Sequence, residues 1–93
     1  MVKIPIVNRE DYTMYLELHA GMLWFHTDVR KWTASVKTKY LEDLNLLQYL
    51  VGIPIVALID NSKLAKFAKT IGFEPFNKVV FNNIEYDVFT RSK

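Results

Sequence analysis

The sequence has no cysteine, and it has only three glycines and three prolines among its 93 residues. The absence of cysteine excludes disulfides, zinc–thiolate sites and a cysteine nucleophile. It also suits a reducing compartment, so we expect a cytoplasmic protein. The scarcity of glycine and proline leaves no stretch that resembles a linker or a low-complexity segment. These features together predict a single domain, 1–93.

Long apolar runs and a large charge of one sign are absent as well. The apolar run 53–59 is far shorter than the roughly 18–20 residues of a membrane-spanning helix. Twelve Lys and Arg residues oppose ten Asp and Glu residues, which gives a net charge of only +2. That balance argues against a protein that binds by neutralising many nucleic-acid phosphates. We therefore expect no membrane segment and no nucleic-acid partner.

Strand and helix signals alternate along the chain. Residues 2–7 are apolar and β-branched, and Pro5 favours an edge position because proline donates no ladder hydrogen bond. From Arg30 to Val51, apolar residues recur every three or four positions, which predicts a helix that Gly52 would end. The unbroken apolar run 53–59 indicates a central strand that is covered on both faces.

The last third of the chain predicts a second helix and a hairpin. Asn61 stands among helix-capping residue types, and the apolar stripe that follows it ends before Gly72. Strands are expected at 76–81 and 84–91. The Asn-Asn pair between these strands tolerates positive φ, so we predict a type I′ turn there.

The segment from Tyr12 to Asp28 allows two interpretations. Residues 13–19 and 22–27 flank Ala20-Gly21, a pattern typical of two strands around a tight turn. The alternative is a helical turn at 10–16 followed by a single strand. The hairpin interpretation gives the order β-β-β-α-β-α-β-β. This order describes a small α/β or α+β fold with a single mixed sheet and two helices.

Four features of the last three quarters of the chain occur together. They are the apolar strand 53–59, Asn61, the segment Phe67-Ala-Lys-Thr-Ile-Gly-Phe73, and a closing hairpin that carries Tyr86 and Phe89. In this combination, residues 18–91 resemble the C-terminal half of the fold of the GNAT family of N-acetyltransferases. The part from Asn61 to Thr90 is also similar to small acetyltransferase-like proteins of tailed bacteriophages, including an internal virion protein of short-tailed phages.

The resemblance implies acetyl-CoA as a cofactor and points to residues that would hold it. In the family, a loop of pattern [Gln/Arg]-x-x-Gly-x-[Gly/Ala] presents helix N-terminal amides to the CoA diphosphate. The nearest segment here supplies the candidates Arg30, Lys31, Thr33 and Ser35. Thr33 and Ser35 stand where the family has small residues, so an ordinary capped helix start is the alternative. Asn61 is the fifth candidate, with a helix N-cap as its other role.

The resemblance also bears on catalysis. The family's tyrosine, which protonates the leaving thiolate, aligns with Ala68. The strand that borders the substrate in the family corresponds to the one with Glu17 and His19, which are therefore the candidate general bases. His26 is the other histidine, and the pair lacks the ligand spacing of a metal site. We predict no metal.

Three functional hypotheses follow. The preferred one is a degenerate GNAT-like domain that works as a non-catalytic interaction or structural protein, with a protein partner or as a homodimer. The phage resemblance would make it a virion component or an inhibitor of a host protein. The alternative is a minimal acetyl-CoA-dependent N-acetyltransferase acting on a lysine or a small amine. The third is an unrelated α/β binding domain, which a sheet without a splayed strand pair would indicate.

Overall fold

The computed structural model describes residues 3–92, which form one mixed sheet with two helices. The elements in chain order are β1 (Ile4–Asn8), β2 (Tyr12–His19), β3 (Met22–Val29), α1 (Ala34–Val51), β4 (Ile55–Ile59), α2 (Ser62–Thr70), β5 (Glu74–Phe81) and β6 (Ile84–Arg91). This order confirms the predicted fold class and the arrangement β-β-β-α-β-α-β-β. The first residue of the predicted N-terminal strand, residue 2, lies outside the described residues.

The six strands lie in the order β1-β2-β3-β4-β6-β5. Neighbouring strands are antiparallel, except that β3 and β4 are parallel. A parallel pair needs a crossover connection, and α1 provides it. β1 is an edge strand, which confirms the position expected from Pro5.

The segment with two interpretations is a hairpin. β2 and β3 pair along their full length, from Tyr12 opposite Val29 to His19 opposite Met22. Ala20 and Gly21 between them have φ of 54° and 75°. Two successive positive φ values give a turn whose twist matches that of the flanking strands. The helical turn at 10–16 is therefore wrong. The predicted Asn82-Asn83 turn is confirmed in the same way, with φ of 51° and 64°.

The first helix begins at Ala34 rather than at Arg30. The backbone N–H groups of Arg30 and Lys31 donate to the carbonyl of Asp11, at 2.8 and 3.2 Å, so the β1–β2 loop holds this segment outside the helix. The helix ends as predicted, because Gly52 adopts the left-handed conformation with φ of 70°.

Both helices pack on the same face of the sheet. The buried cluster between the helices and the sheet consists of Tyr12, Met14, Leu16, Phe25, Val36, Tyr40, Leu44, Leu47, Ile55, Ile59, Ala68, Ile71, Phe73 and Phe89. Side chains alternate across a strand, so the residues between these point to the other side. We call that side the open face.

The apolar strand at 53–59 is central, as predicted, because β4 lies between β3 and β6. The expectation that both of its faces are covered is wrong only for part of the open face, because Val56 on that face is 4% exposed. Ile55 and Ile59 belong to the cluster under the helices, whereas Leu58 on the open face is 46% exposed. Within the described residues, neither helix is long and apolar enough to cross a membrane.

Candidate functional site

The parallel strands β3 and β4 diverge after a short paired segment. Within the described residues they pair only at Leu23 with Ile55 and at Trp24 with Val56. Beyond these two pairs β3 and β4 do not pair with each other, although each stays paired with its other neighbour. A gap therefore opens between them in the sheet. Backbone N–H and C=O groups along such a gap lack strand partners and are suited to bind a ligand. This splayed pair is the feature whose absence would have indicated an unrelated α/β domain.

A mostly apolar cavity of about 200 Å³ lies at the gap. Its walls come from the diverging ends of β3 and β4, from α2 and from the loop between α2 and β5. The lining residues are Phe25, His26, Thr27, Ala57, Leu58, Ile59, Leu64, Phe67, Ala68, Ile71 and Phe73. A slot of this size and polarity suits a narrow, largely apolar chain.

The hairpin β2–β3 places a glutamate beside a histidine at this cavity. Glu17 lies opposite Trp24, and Tyr15 lies opposite His26, so Glu17 and His26 are diagonal neighbours on the open face. Glu17 Oε1 and His26 Nε2 are 2.8 Å apart, and their side chains are 17% and 35% exposed. This pair can exchange a proton with a bound group and hold the imidazole in one orientation.

The structure places the second candidate base elsewhere. His19 is exposed beside the hairpin turn, opposite Met22, and its backbone carbonyl accepts a hydrogen bond from Trp24 Nε1 at 3.2 Å. It does not line the cavity. His26 was not predicted as a partner for Glu17. The signal was available, because a turn at Ala20-Gly21 fixes the register and makes these two residues diagonal neighbours.

The N-terminus of α1 is capped by a side chain. Thr33 has extended backbone angles and caps the helix, because its Oγ1 accepts from the N–H of Val36 at 3.2 Å. Thr33 Oγ1 also lies 3.1 Å from Ser35 Oγ. One of the first amides of the helix, that of Val36, is therefore already hydrogen-bonded. The capped helix start that the sequence allowed is therefore present.

The Arg30 guanidinium is hydrogen-bonded within the protein, mostly to backbone carbonyls. Its Nε donates to the carbonyl of Glu10 at 3.0 Å, and its Nη2 donates to the carbonyl of Arg9 at 2.6 Å and to Thr13 Oγ1 at 3.0 Å. The guanidinium thus ties the end of β3 to the β1–β2 loop. Lys31 is exposed and remains available to an anion.

Three aromatic rings fill the space between the two helices. Trp32 contacts Tyr40 of α1 and Phe67 of α2, with ring centroids 5.4 and 5.1 Å apart, and Tyr40 and Phe67 are 6.0 Å apart. We call these three residues the aromatic cluster. Burial raises the pKa of Tyr40 to about 12. In the described part of the chain its buried hydroxyl has no hydrogen-bond partner.

Asn61 caps α2, as predicted. Its Oδ1 accepts from the N–H of Leu64 at 2.8 Å, and its Nδ2 donates to Asp60 Oδ1 at 3.0 Å. Both ends of the side-chain amide are therefore used at the start of the helix. Asn61 lies two residues after the end of β4 and three residues before Leu64, which lines the cavity.

Acetyl-CoA fits these residues only in part. The gap between β3 and β4 suits the pantetheine arm. The diphosphate fits less well, because Thr33 Oγ1 already accepts from the Val36 N–H and Arg30 is bound to backbone carbonyls. Among the described residues, no group of three or more His, Asp or Glu side chains could hold a metal ion.

Comparison with solved structures identifies the fold. A structure from Bordetella pertussis, provisionally named a GnaT-family acetyltransferase, is similar to this chain with a TM-score of 0.65 and 15% sequence identity. The similarity covers 95% of this chain and 61% of that one, so this chain spans about three fifths of the length of its neighbour. At such low identity the likeness shows the fold alone, which is GNAT-like. The chain matches no protein-family model and no curated protein sequence.

Proposed function

We propose that this GNAT-like domain works through contacts with other proteins and does not transfer acetyl groups. The observation that carries the proposal is the capped start of α1, where Thr33 Oγ1 accepts a hydrogen bond from the N–H of Val36. A diphosphate needs exposed amides and close approach to the backbone at a helix N-terminus. Here a side-chain oxygen replaces the phosphate as the acceptor.

The aromatic cluster supports the same proposal. Trp32 packs edge-on against both Tyr40 and Phe67, so a cofactor that passed between the helices would have to displace an indole that is 38% exposed but held by two ring contacts. Aromatic pairs of this kind contribute about 0.5–1.5 kcal/mol each beyond their buried area. The cluster therefore resists opening.

The exposed apolar surface supports a binding role. Exposed residues of this kind occur on α1 and on the hairpin β5–β6, and they include Leu46, Leu50, Phe76, Val80, Phe81 and Ile84. Exposed apolar residues that neighbour one another on one element can mark an interaction site. The sequence resemblance to phage proteins, which rests on Asn61, Phe67 and 69–72, leads us to propose a virion component or an inhibitor of a host protein. Such a protein would work in the phage particle or in the host cytoplasm.

Calorimetric titration of acetyl-CoA and CoA into the protein tests the proposal. We expect no saturable heat up to about 1 mM ligand, the weak end of specific binding. A Thr33→Gly/Ser35→Gly variant serves as the comparison, because it removes both hydroxyl groups from the start of α1. Saturable binding by the wild-type protein that is lost in Thr33→Glu would overturn the proposal.

A second function is favoured by one observation, the Glu17–His26 pair beside the cavity. In a minimal N-acetyltransferase, this pair would accept the proton of a lysine or a small amine. The assay is release of free CoA thiol from acetyl-CoA with lysine peptides and polyamines as acceptors. Activity that disappears in both Glu17→Gln and His26→Gln would favour this function over the first.

A further inference from the structure

The sheet has two edges, and the one opposite β1 is formed by β5, whose eight residues are all exposed. Within the described residues β5 pairs only with β6. An edge strand presents unpaired backbone N–H and C=O groups, which can pair with a strand of another chain. Natural proteins usually protect such an edge with proline, bulges or charged side chains.

Only the first half of β5 carries such protection. Pro75 lacks an N–H, the register shifts between Pro75 and Asn77, and Lys78 is charged. The second half, Val79, Val80 and Phe81, has none of these features. Val80 and Phe81 are 69% and 64% exposed. The unprotected part of the edge is therefore short, uncharged and apolar.

The hairpin turn determines which backbone groups of this half point outwards. In a two-residue turn the carbonyl of the first flanking residue accepts from the N–H of the second. The backbone of Phe81 therefore faces Ile84 on β6, its register partner. Hydrogen-bonding groups alternate between the two sides of a strand in an antiparallel pair. The N–H and C=O of Val80 are thus directed away from β6.

We infer that two copies of this chain dimerise by antiparallel pairing of their β5 strands about Val80. A two-fold axis perpendicular to the sheet makes the two Val80 residues exchange both of their backbone hydrogen bonds. It places Val79 opposite Phe81 of the second copy, on the open face. The two sheets then continue into one another.

The charges favour a second copy in this register. Lys78 is balanced within its own chain, with its Nζ 3.4 Å from Glu85 Oε1 and 3.8 Å from Asp87 Oδ1. Pairing about Val80 places Lys78 opposite Asn82 of the second copy. Centring the pairing on Val79 would place Lys78 opposite Val80 of the second copy. Centring it on Lys78 would place the two Lys78 residues opposite each other, and like charges in that position are destabilising. The register about Val80 therefore avoids the lysine–lysine repulsion.

Sedimentation equilibrium of the full chain, from about 1 μM to about 1 mM, tests the inference. We expect a concentration-dependent mass that approaches twice the 10.9 kDa of one chain. Val80→Lys should weaken the dimer at least about tenfold, because it places two lysines opposite each other. Leu50→Lys on α1 is the matched control, since Leu50 is 71% exposed and Val80 is 69% exposed. It should dimerise normally.

Hydrogen exchange gives a second readout that needs no variant. The amide of Val80 should exchange slowly at high concentration and quickly on dilution, whereas exposed amides away from β5 and its turn should not change. A wild-type monomer at every concentration overturns the inference, and so does a dimer that persists in Val80→Lys. The proposed function fails by a different measurement, the binding of CoA, so the two failures are distinguishable.

Discussion

Glu17 is hydrogen-bonded to His26 across the β2–β3 hairpin, with Oε1 and Nε2 2.8 Å apart. The two residues are nine positions apart in the sequence, and the tight turn at Ala20-Gly21 brings them together. The pair lies on the open face of the sheet, and His26 lines the cavity between the splayed strands.

Replacing Glu17 by Gln is expected to change stability only slightly. The pair is partly exposed, so its loss should lower the free energy of unfolding by less than about 1 kcal/mol. His19→Gln is the control, because His19 is exposed and lies outside the cavity. Urea denaturation measures both. A loss of more than about 2 kcal/mol in Glu17→Gln would mean that the carboxylate has a larger structural role than that of a surface pair.

Asp43 is expected to make stability depend on pH in the acid range. Hydrogen bonding from Arg9 holds the pKa of Asp43 below the ordinary value of 3.8, and Tyr12 also donates to this carboxylate, at 2.5 Å. A depressed pKa means that this stabilisation is complete above pH 3.8 and is lost as the pH falls through the folded-state pKa.

Asp43→Asn tests this dependence. Above about pH 5 the variant should be less stable by about 1–3 kcal/mol, the range for a hydrogen-bonded charged group. The difference from the wild-type protein should shrink as the pH falls through the folded-state pKa, below which the carboxyl is protonated in both states. Chemical denaturation at a series of pH values measures it. A difference that stays constant with pH would exclude the linkage.

Tyr40→Phe is expected to be neutral or stabilising, by up to about 1 kcal/mol, because it removes a buried hydroxyl that has no partner. Tyr40→Leu should cost about 2–4 kcal/mol, since it leaves a cavity within the aromatic cluster. Thermal unfolding followed by circular dichroism compares the two. A loss of more than about 1 kcal/mol in Tyr40→Phe would indicate that a water molecule bonds to the hydroxyl.

Gly72→Ala is expected to destabilise the fold more than Gly21→Ala. Both glycines have positive φ, 96° and 75°, so both substitutions carry backbone strain. A Cβ at Gly72 would lie 3.0 Å from Arg91 Nε, whereas one at Gly21 would meet nothing within 4 Å. The Arg91 side chain donates to the Ile71 carbonyl at 2.9 Å, and this contact would have to shift. Equal losses of stability in urea would contradict the steric part of the argument.

Local sequence signals predicted most of the fold. Gly52, Asn61 and Asn82-Asn83 each specify a conformation through their own side chain or its absence, so the ends of the helices and the last turn could be predicted. The start of α1 at the Thr33 cap was only one of two alternatives, because the hydrogen bonds from Arg30 and Lys31 to Asp11 join segments about twenty residues apart. The spacing of apolar residues along the chain carries no information about such a long-range hydrogen bond.

The candidate site was less predictable, for the same reason. Glu17 could be singled out, but its partner depends on the register of a hairpin whose existence was one of two interpretations. The role of Arg30 depends on carbonyl groups of another loop. The cavity depends on where two parallel strands separate, which the single continuous apolar run at β4 does not encode.

The short pairing of β3 with β4 has a consequence for unfolding. Two residue pairs join the antiparallel sheet β1–β2–β3 to the antiparallel sheet β4–β6–β5, whereas each hairpin is paired over seven or eight positions. The two sheet halves are therefore held together chiefly by the side chains that they share beneath the helices. Mild denaturant or pressure should part the molecule along this line first, with each hairpin keeping its amide protection as a separate cooperative unit.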